Sequence, residues 1–224
     1  MTAERHRFTL DMECRYLLDP PGSENPLLIA CLHGYGSNPE VMLELTREMV
    51  GREPVIASLQ APSQFFVSLK PKMEVGYCWA THAHSDASVA MHHAMVTRVL
   101  NEVGDRFGIP AGMRVLVGFS QPVGLNYRFA ATIPDAVAGV IGICGGVPGN
   151  WDTGHYQTVN AALLHIARSA DDIYPPEVTQ TYAERLRLHA ADVEFHLLDG
   201  GHRFPSKAGP LVRDWLRSRL MPVA

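Results

Sequence analysis

The chain has 224 residues, with 19 Lys+Arg against 23 Asp+Glu, a formal charge of −4, and is 46% apolar and 19% charged. A chain of this size buries about 70% of its unfolded surface, so folding requires neither disulfide nor metal, and one domain over residues 1–224 is the default. The mild acidity argues against a nucleic-acid-binding face, no run approaches the ~20 apolar residues of a membrane span, and the amino terminus lacks the apolar core of a secretory signal.

In chain order, residues 6–18 read as one or two strands ended by Asp19-Pro20-Pro21-Gly22. Leu27–Leu32 is a continuous apolar run, the pattern of a strand covered on both faces. Val41, Leu45 and Met49 recur every four residues and mark a helix. Val55–Leu59 is a short strand, and 60–85 is an irregular excursion punctuated by Pro62, Pro71 and Gly76. A helical stripe follows through Val89, Val96, Leu100 and Val103, then buried strands at 114–119 and 137–143. Strands at 162–166 and 193–198 flank a helix carrying Val178, Tyr182 and Leu186. A last helix, beginning near Pro205, buries Leu211, Val212, Trp215 and Leu216. This alternation predicts an α/β fold, a mainly parallel sheet with helices on both faces.

The strongest chemical signal is Gly118-Phe119-Ser120-Gln121-Pro122 after a buried strand and before a helix. Such a turn projects a serine hydroxyl above the sheet, with the N–H of the next residue, Gln121, aimed at a developing oxyanion. The loop Leu32-His33-Gly34-Tyr35-Gly36, also between strand and helix, can supply a second backbone donor from Tyr35. The His33 side chain itself is expected to be structural. Asp171 and Asp172 follow a strand where a carboxylate can orient an imidazole, and His202 lies in a glycine-bearing loop after the last strand. The order Ser120…Asp171…His202, each at the carboxyl end of a strand, is the order of roles in α/β-hydrolases. Asp171 is favoured over Asp172, which stays open.

Five segments carry a resemblance: Leu32–Gly36, Gly76–Trp79, Gly118–Gln121, Asp171–Pro175 and Gly200–Pro205. In that order they resemble the phospholipase/carboxylesterase family of α/β-hydrolases, which includes acyl-protein thioesterases and small bacterial esterases. The resemblance implies the α/β-hydrolase fold and a Ser-Asp-His triad acting on carboxylic esters or thioesters without a cofactor. The chain departs from the family pattern at Pro122, where glycine is usual, and at Ala167-Arg168, where His-Gly is usual.

Of the remaining residues, His82, His84, His92 and His93 lack the convergence a metal needs, so no metal is expected. Cys14, Cys31, Cys78 and Cys144 have no paired spacing, and buried, reduced thiols are expected. Trp79, Phe65 and Met73 are candidates for the substrate pocket, against a plain packing role. The expectation is a cytoplasmic serine carboxylesterase for short- to medium-chain esters, acting on a small molecule. A homodimer is compatible with the sequence. An acyl thioesterase or lysophospholipase is the alternative, and a non-catalytic hydrolase-like binding module is the second.

Overall fold

The computed structural model describes residues 3–24, 26–153 and 156–220. Seven strands form one sheet in the order β1 (Tyr16–Asp19), β3 (Val55–Leu59), β2 (Leu28–Leu32), β6 (Arg114–Phe119), β7 (Gly139–Ile143), β8 (Ala162–Arg168) and β9 (Val193–Leu198). Only β1 runs antiparallel to its neighbour. β2, β3 and β7 are buried at every position, because helices cover both faces.

Alternate residues of each strand feed opposite cores. Leu28, Ala30 and Leu32 pack with Leu116 beneath α2 (Ser85–Phe107), α3 (Val123–Thr132) and α5 (Tyr182–Arg187). Ile29 and Cys31 pack with Val115 and Val117 beneath α1 (Pro39–Val50) and α6 (Gly209–Leu220). The apolar faces of the helices are therefore buried against the period-two faces of the sheet. Helix α1 begins where the sequence supplies both start signals: Asn38 accepts the Val41 N–H at 2.9 Å, and Pro39 needs no N–H partner.

Several boundaries differ from the sequence reading. Residues 3–15 form no strand; the ladder with β3 covers only 16–19, and the Gln60 N–H donated to Arg15 O at 3.0 Å is the last backbone bond beside it. The stretch 60–85 is more regular than expected, with a two-stranded hairpin of β4 (Ser63–Ser68) and β5 (Glu74–Cys78). The helix expected through Val178–Leu186 is two pieces, α4 (Pro176–Thr179) and α5, and Thr181 Oγ1 donates to Val178 O at 2.8 Å between them. Pro205 is extended (φ −82°, ψ 90°), so α6 starts only at Gly209 after a short 3-10 turn. All four cysteines are free, and three are buried; Cys14 is exposed, in the segment before β1.

The chain leaves β2 for β3 on one side, then returns to place β6 on the other. The carboxyl ends of β2 and β6 thus flank the switch point of the sheet, where open α/β sheets leave a crevice for ligands.

Candidate active site

Ser120 occupies that switch point. Its backbone is left-handed (φ 63°), a strained state for a residue with a β-carbon. The surroundings enforce it. Ser120 N–H donates to Ile143 O of β7 at 2.8 Å, and Val123 N–H donates back to Ser120 O at 3.2 Å. A side chain at Gly145 would collide with Val123 and with the Ser120 carbonyl, so the helix approaches the sheet there. This resolves the departure at Pro122. The proline sits at the helix entry with φ −75°, its carbonyl accepts Asn126 N–H at 2.8 Å, and its missing N–H was never needed.

His202 Nε2 lies 2.9 Å from Ser120 Oγ. On the other side of the ring, Nδ1 is 2.9 and 3.1 Å from the two oxygens of Asp171. An ionised carboxylate only accepts, so Nδ1 carries the proton and Nε2 presents a lone pair to the serine O–H. Asp171 is 3% exposed, and its Oδ1 also accepts the N–H groups of Ile173 (2.9 Å) and Tyr174 (2.8 Å). Its neighbour Asp172 is exposed, so Asp171 is the carboxylate in contact with the ring. The ring is held further by Phe119 at 5.3 Å and Tyr174 at 5.8 Å between centroids. Arg168, where the family usually has glycine, lies against Gly200. A side chain at Gly200 (φ 128°) would strike the guanidinium.

The loop after β2 packs directly on the serine. A β-carbon on Gly34 would lie 3.3 Å from Ser120 Cβ and 3.1 Å from the Phe119 ring. Among the described residues, the N–H groups of Tyr35 and Gln121 donate to no protein acceptor. His33 is an internal strut, as expected of it. Its Nε2 accepts Ala61 N–H at 3.1 Å and its Nδ1 donates to Gly34 O at 2.8 Å, a fixed neutral tautomer. Burial lowers its pKa, while the Gly34 carbonyl opposes that shift.

The side chain of Gln121 has a task that the sequence did not reveal. Its Oε1 accepts Trp79 N–H at 2.8 Å, and its Nε2 donates to Ala80 O at 2.7 Å. Trp79 Nε1 in turn donates to His33 O at 2.8 Å. The two donor-bearing loops are therefore cross-linked through residues 78–80. Tyr174 was also missed as a contact of the ring; the motif drew attention to its acid and proline, not to the aromatic residue between them.

The expected pocket residues fall elsewhere. Trp79 is 1% exposed and belongs to the core, Phe65 stacks on Tyr35 at 4.9 Å, and Met73 is 64% exposed. None lines the cleft beside the serine. That cleft, about 280 Å³, runs from Gln121 and Tyr174 along Gly124, Leu125 and Arg128 of α3, with Val147 and Pro148 opposite. Phe65 on β4 packs against Tyr35 of the loop after β2, and Trp79 turns its ring into the core, so neither is among the residues lining that cleft. His82 and His84 are exposed while His92 and His93 are buried in α2, so the four do not converge. No group of three metal-ligating side chains occurs among the described residues. No helix there is long and apolar enough to cross a membrane.

Residues 17–218 match the phospholipase/carboxylesterase family. Comparison with curated proteins gives no match. Among solved structures, the chain is similar to the carboxylesterase of Bacillus cereus, at 16% identity and TM-score 0.74 over 92% of this chain and 94% of that one. It is similar to a carboxylesterase from Mesorhizobium loti, at 19% identity and TM-score 0.74 over 94% and 97%. It is also similar to acyl-protein thioesterase 2 of Zea mays, at 18% identity and TM-score 0.71 over 92% and 100%. With nearly its whole length inside the family match, the chain belongs to the phospholipase/carboxylesterase family of α/β-hydrolases and is a carboxylic ester hydrolase.

Proposed function

We propose that the protein is a serine carboxylesterase for short- to medium-chain esters, working through an acyl-enzyme on Ser120. The observation that carries this reading is the series Ser120 Oγ, His202 Nε2, His202 Nδ1 and Asp171, with contacts of 2.9 Å on both sides of the ring. Ser120 Oγ attacks the ester carbonyl while His202 Nε2 takes its proton. Asp171 holds the tautomer and stabilises the imidazolium. The free N–H groups of Tyr35 and Gln121 receive the oxyanion, each worth about 3 kcal/mol in the transition state. His202 returns the proton to the leaving alcohol. Water then attacks the acyl-enzyme with His202 as base, and Ser120 is released.

The strained Ser120 backbone supports this role, since such strain persists only where surrounding structure over-determines it. The cleft's volume supports a modest acyl group, because about 300 Å³ is the lower end for small-molecule sites. The test is labelling by a fluorophosphonate probe together with a series of p-nitrophenyl esters from acetyl to palmitoyl and matching acyl thioesters. An adduct on Ser120 with fastest turnover among the shorter esters is the expected result. Preference for thioesters or palmitoyl would replace the substrate class, and a folded protein without adduct would remove Ser120 from the mechanism.

A further inference from the structure

The cleft beside Ser120 ends on a charge that the ester chemistry does not use. Gly124 and Arg128 stand four residues apart on α3, so they lie on one face of the helix, one turn from each other. Gly124 lets the backbone of Gly146 approach, since a β-carbon there would lie 3.1 Å from the Gly146 carbonyl oxygen, and the rise from Gln121 to Arg128 is about 10 Å along the helix. Both residues line the cleft with Gln121 and Tyr174 at its near end.

Arg128 is half-buried, and its Nη1 donates to Tyr156 Oη at 2.7 Å. Tyr156 Oη–H in turn donates to Asn150 Oδ1 at 3.0 Å, so the guanidinium is steadied by a chain of neutral groups. Its carbon lies 5.9 Å from the centroid of the Tyr156 ring. Among the described residues it makes no ion pair and this single side-chain hydrogen bond, out of about five N–H donors. A half-buried cation backed by neutral partners gains most from an anion brought into the cleft, where charge-assisted bidentate bonds replace water. Asp86, at the start of α2, borders the same cleft, but it is exposed and its charge is screened by solvent.

We infer that Arg128 is the anion-recognising end of the substrate cleft, and that the preferred esters carry a carboxylate several bonds from the scissile carbonyl. This rests on the esterase reading and specifies its substrate. The carboxylate can sit on the acyl or on the alcohol side of the ester, and both arrangements use the same recognition.

The experiment compares kcat/KM for three p-nitrophenyl esters: the half-ester of adipic acid, its ω-carboxamide and its ω-amine analogue. The alcohol side is covered by O-acetyl-6-hydroxyhexanoate and its amide. In one of the two series the acid should exceed the amide by about tenfold, mainly through KM, as a charge-assisted bond of that strength implies. Arg128→Gln should bring that ratio to about one, whereas Arg128→Lys should keep part of it. Asp86→Asn should raise the ratio by about twofold by removing the like charge at the mouth. Should Arg128→Gln fail to fold, the wild type alone suffices: adipate should inhibit it competitively, less so as salt is added, and adipamide should not. Equal rates for acid and amide in both series, with the neutral esters still turned over, would overturn the anion subsite alone. Preference for the amine, lost in Asp86→Asn, would overturn it in favour of a cation. No turnover of any ester by the wild type would instead sink the esterase reading.

Discussion

The serine turn and the β4–β5 hairpin both border the site, and they are built in opposite ways. At the turn, every neighbour is fixed: Ser120 is tied to β7, Gln121 to residues 79 and 80, and α3 is pressed on Gly142 of β7 and on Gly145 just after it. The hairpin touches the rest through few groups, chiefly Gly36 N–H to Tyr77 O at 2.9 Å and Tyr77 N–H to Ser37 O at 3.0 Å. Its outer positions, Phe66, Val67, Leu69 and Met73, are exposed. Strain can be held only in the first environment, and the left-handed Ser120 lies there. The hairpin can vary without disturbing it.

Substitutions can break or sharpen that contrast. The largest effect is expected for Ser120→Ala, with kcat down by about 10⁴ or more in a steady-state ester assay, since triad members act as a unit. Next, Asp171→Asn should lower kcat by about 10³–10⁴ through the wrong imidazole tautomer. Asp172→Asn should change it less than about twofold, being an exposed substitution away from the ring. Equal effects of the two would dissolve the assignment of Asp171.

Acid should loosen the scaffold behind the turn. His92 Nε2 bonds Asn126 Oδ1 of α3 at 3.1 Å, and its Nδ1 faces His93 Nδ1 at 3.1 Å. Burial pushes His92 down to about 3 and His93 to about 4, and the His92 charge is further disfavoured by His93. Burial alone takes His165, stacked on Phe195, down to about 3. The unfolded chain binds these protons near pH 6.5 while the native state refuses them. Their contribution to stability is therefore complete above about pH 6.5 and is lost as pH falls towards 4, by up to about 1.4 kcal/mol per pH unit for each histidine. Urea midpoints measured from pH 7 to 4.5 should fall accordingly, and His165→Gln should make the decline shallower. A midpoint independent of pH in that window would contradict the buried neutral state.

Gln121→Ala keeps the backbone donor but cuts the tether to Trp79 and Ala80. About tenfold in kcat and 1–2 kcal/mol in stability are expected, given two hydrogen bonds of about 1 kcal/mol each. The smallest effect belongs to the hairpin: Met73→Ala should leave short-ester turnover within about twofold, because exposed substitutions rarely matter. A large loss there would mean that the hairpin closes on substrate.

What could be read beforehand followed from local rules. The continuous apolar runs of β2, β6 and β7 gave away a sheet covered on both faces, and the four-residue recurrence of Val41, Leu45 and Met49 marked α1. The strand–Ser120–helix order pointed to a nucleophile turn. The hairpin was harder, since its pairing is between residues 63–78 alone and its apolar side chains face solvent, so periodicity carried no burial signal. The cleft was misread for a related reason: large aromatic side chains suggest a pocket wall, yet Trp79 spends its ring in the core.

By itself, then, the sequence determined the layered α/β architecture and the family, through patterns whose partners lie within a strand or a helical turn. The contact of Asp171 rather than Asp172 with His202, the strut formed by Gln121, and the run of the cleft to Arg128 came only from the tertiary structure. Each depends on groups that are distant in the chain meeting at one edge of the sheet, as His202 and Ser120 do across 82 residues. Spacing along a sequence carries no distance across a fold, so packing alone could settle them.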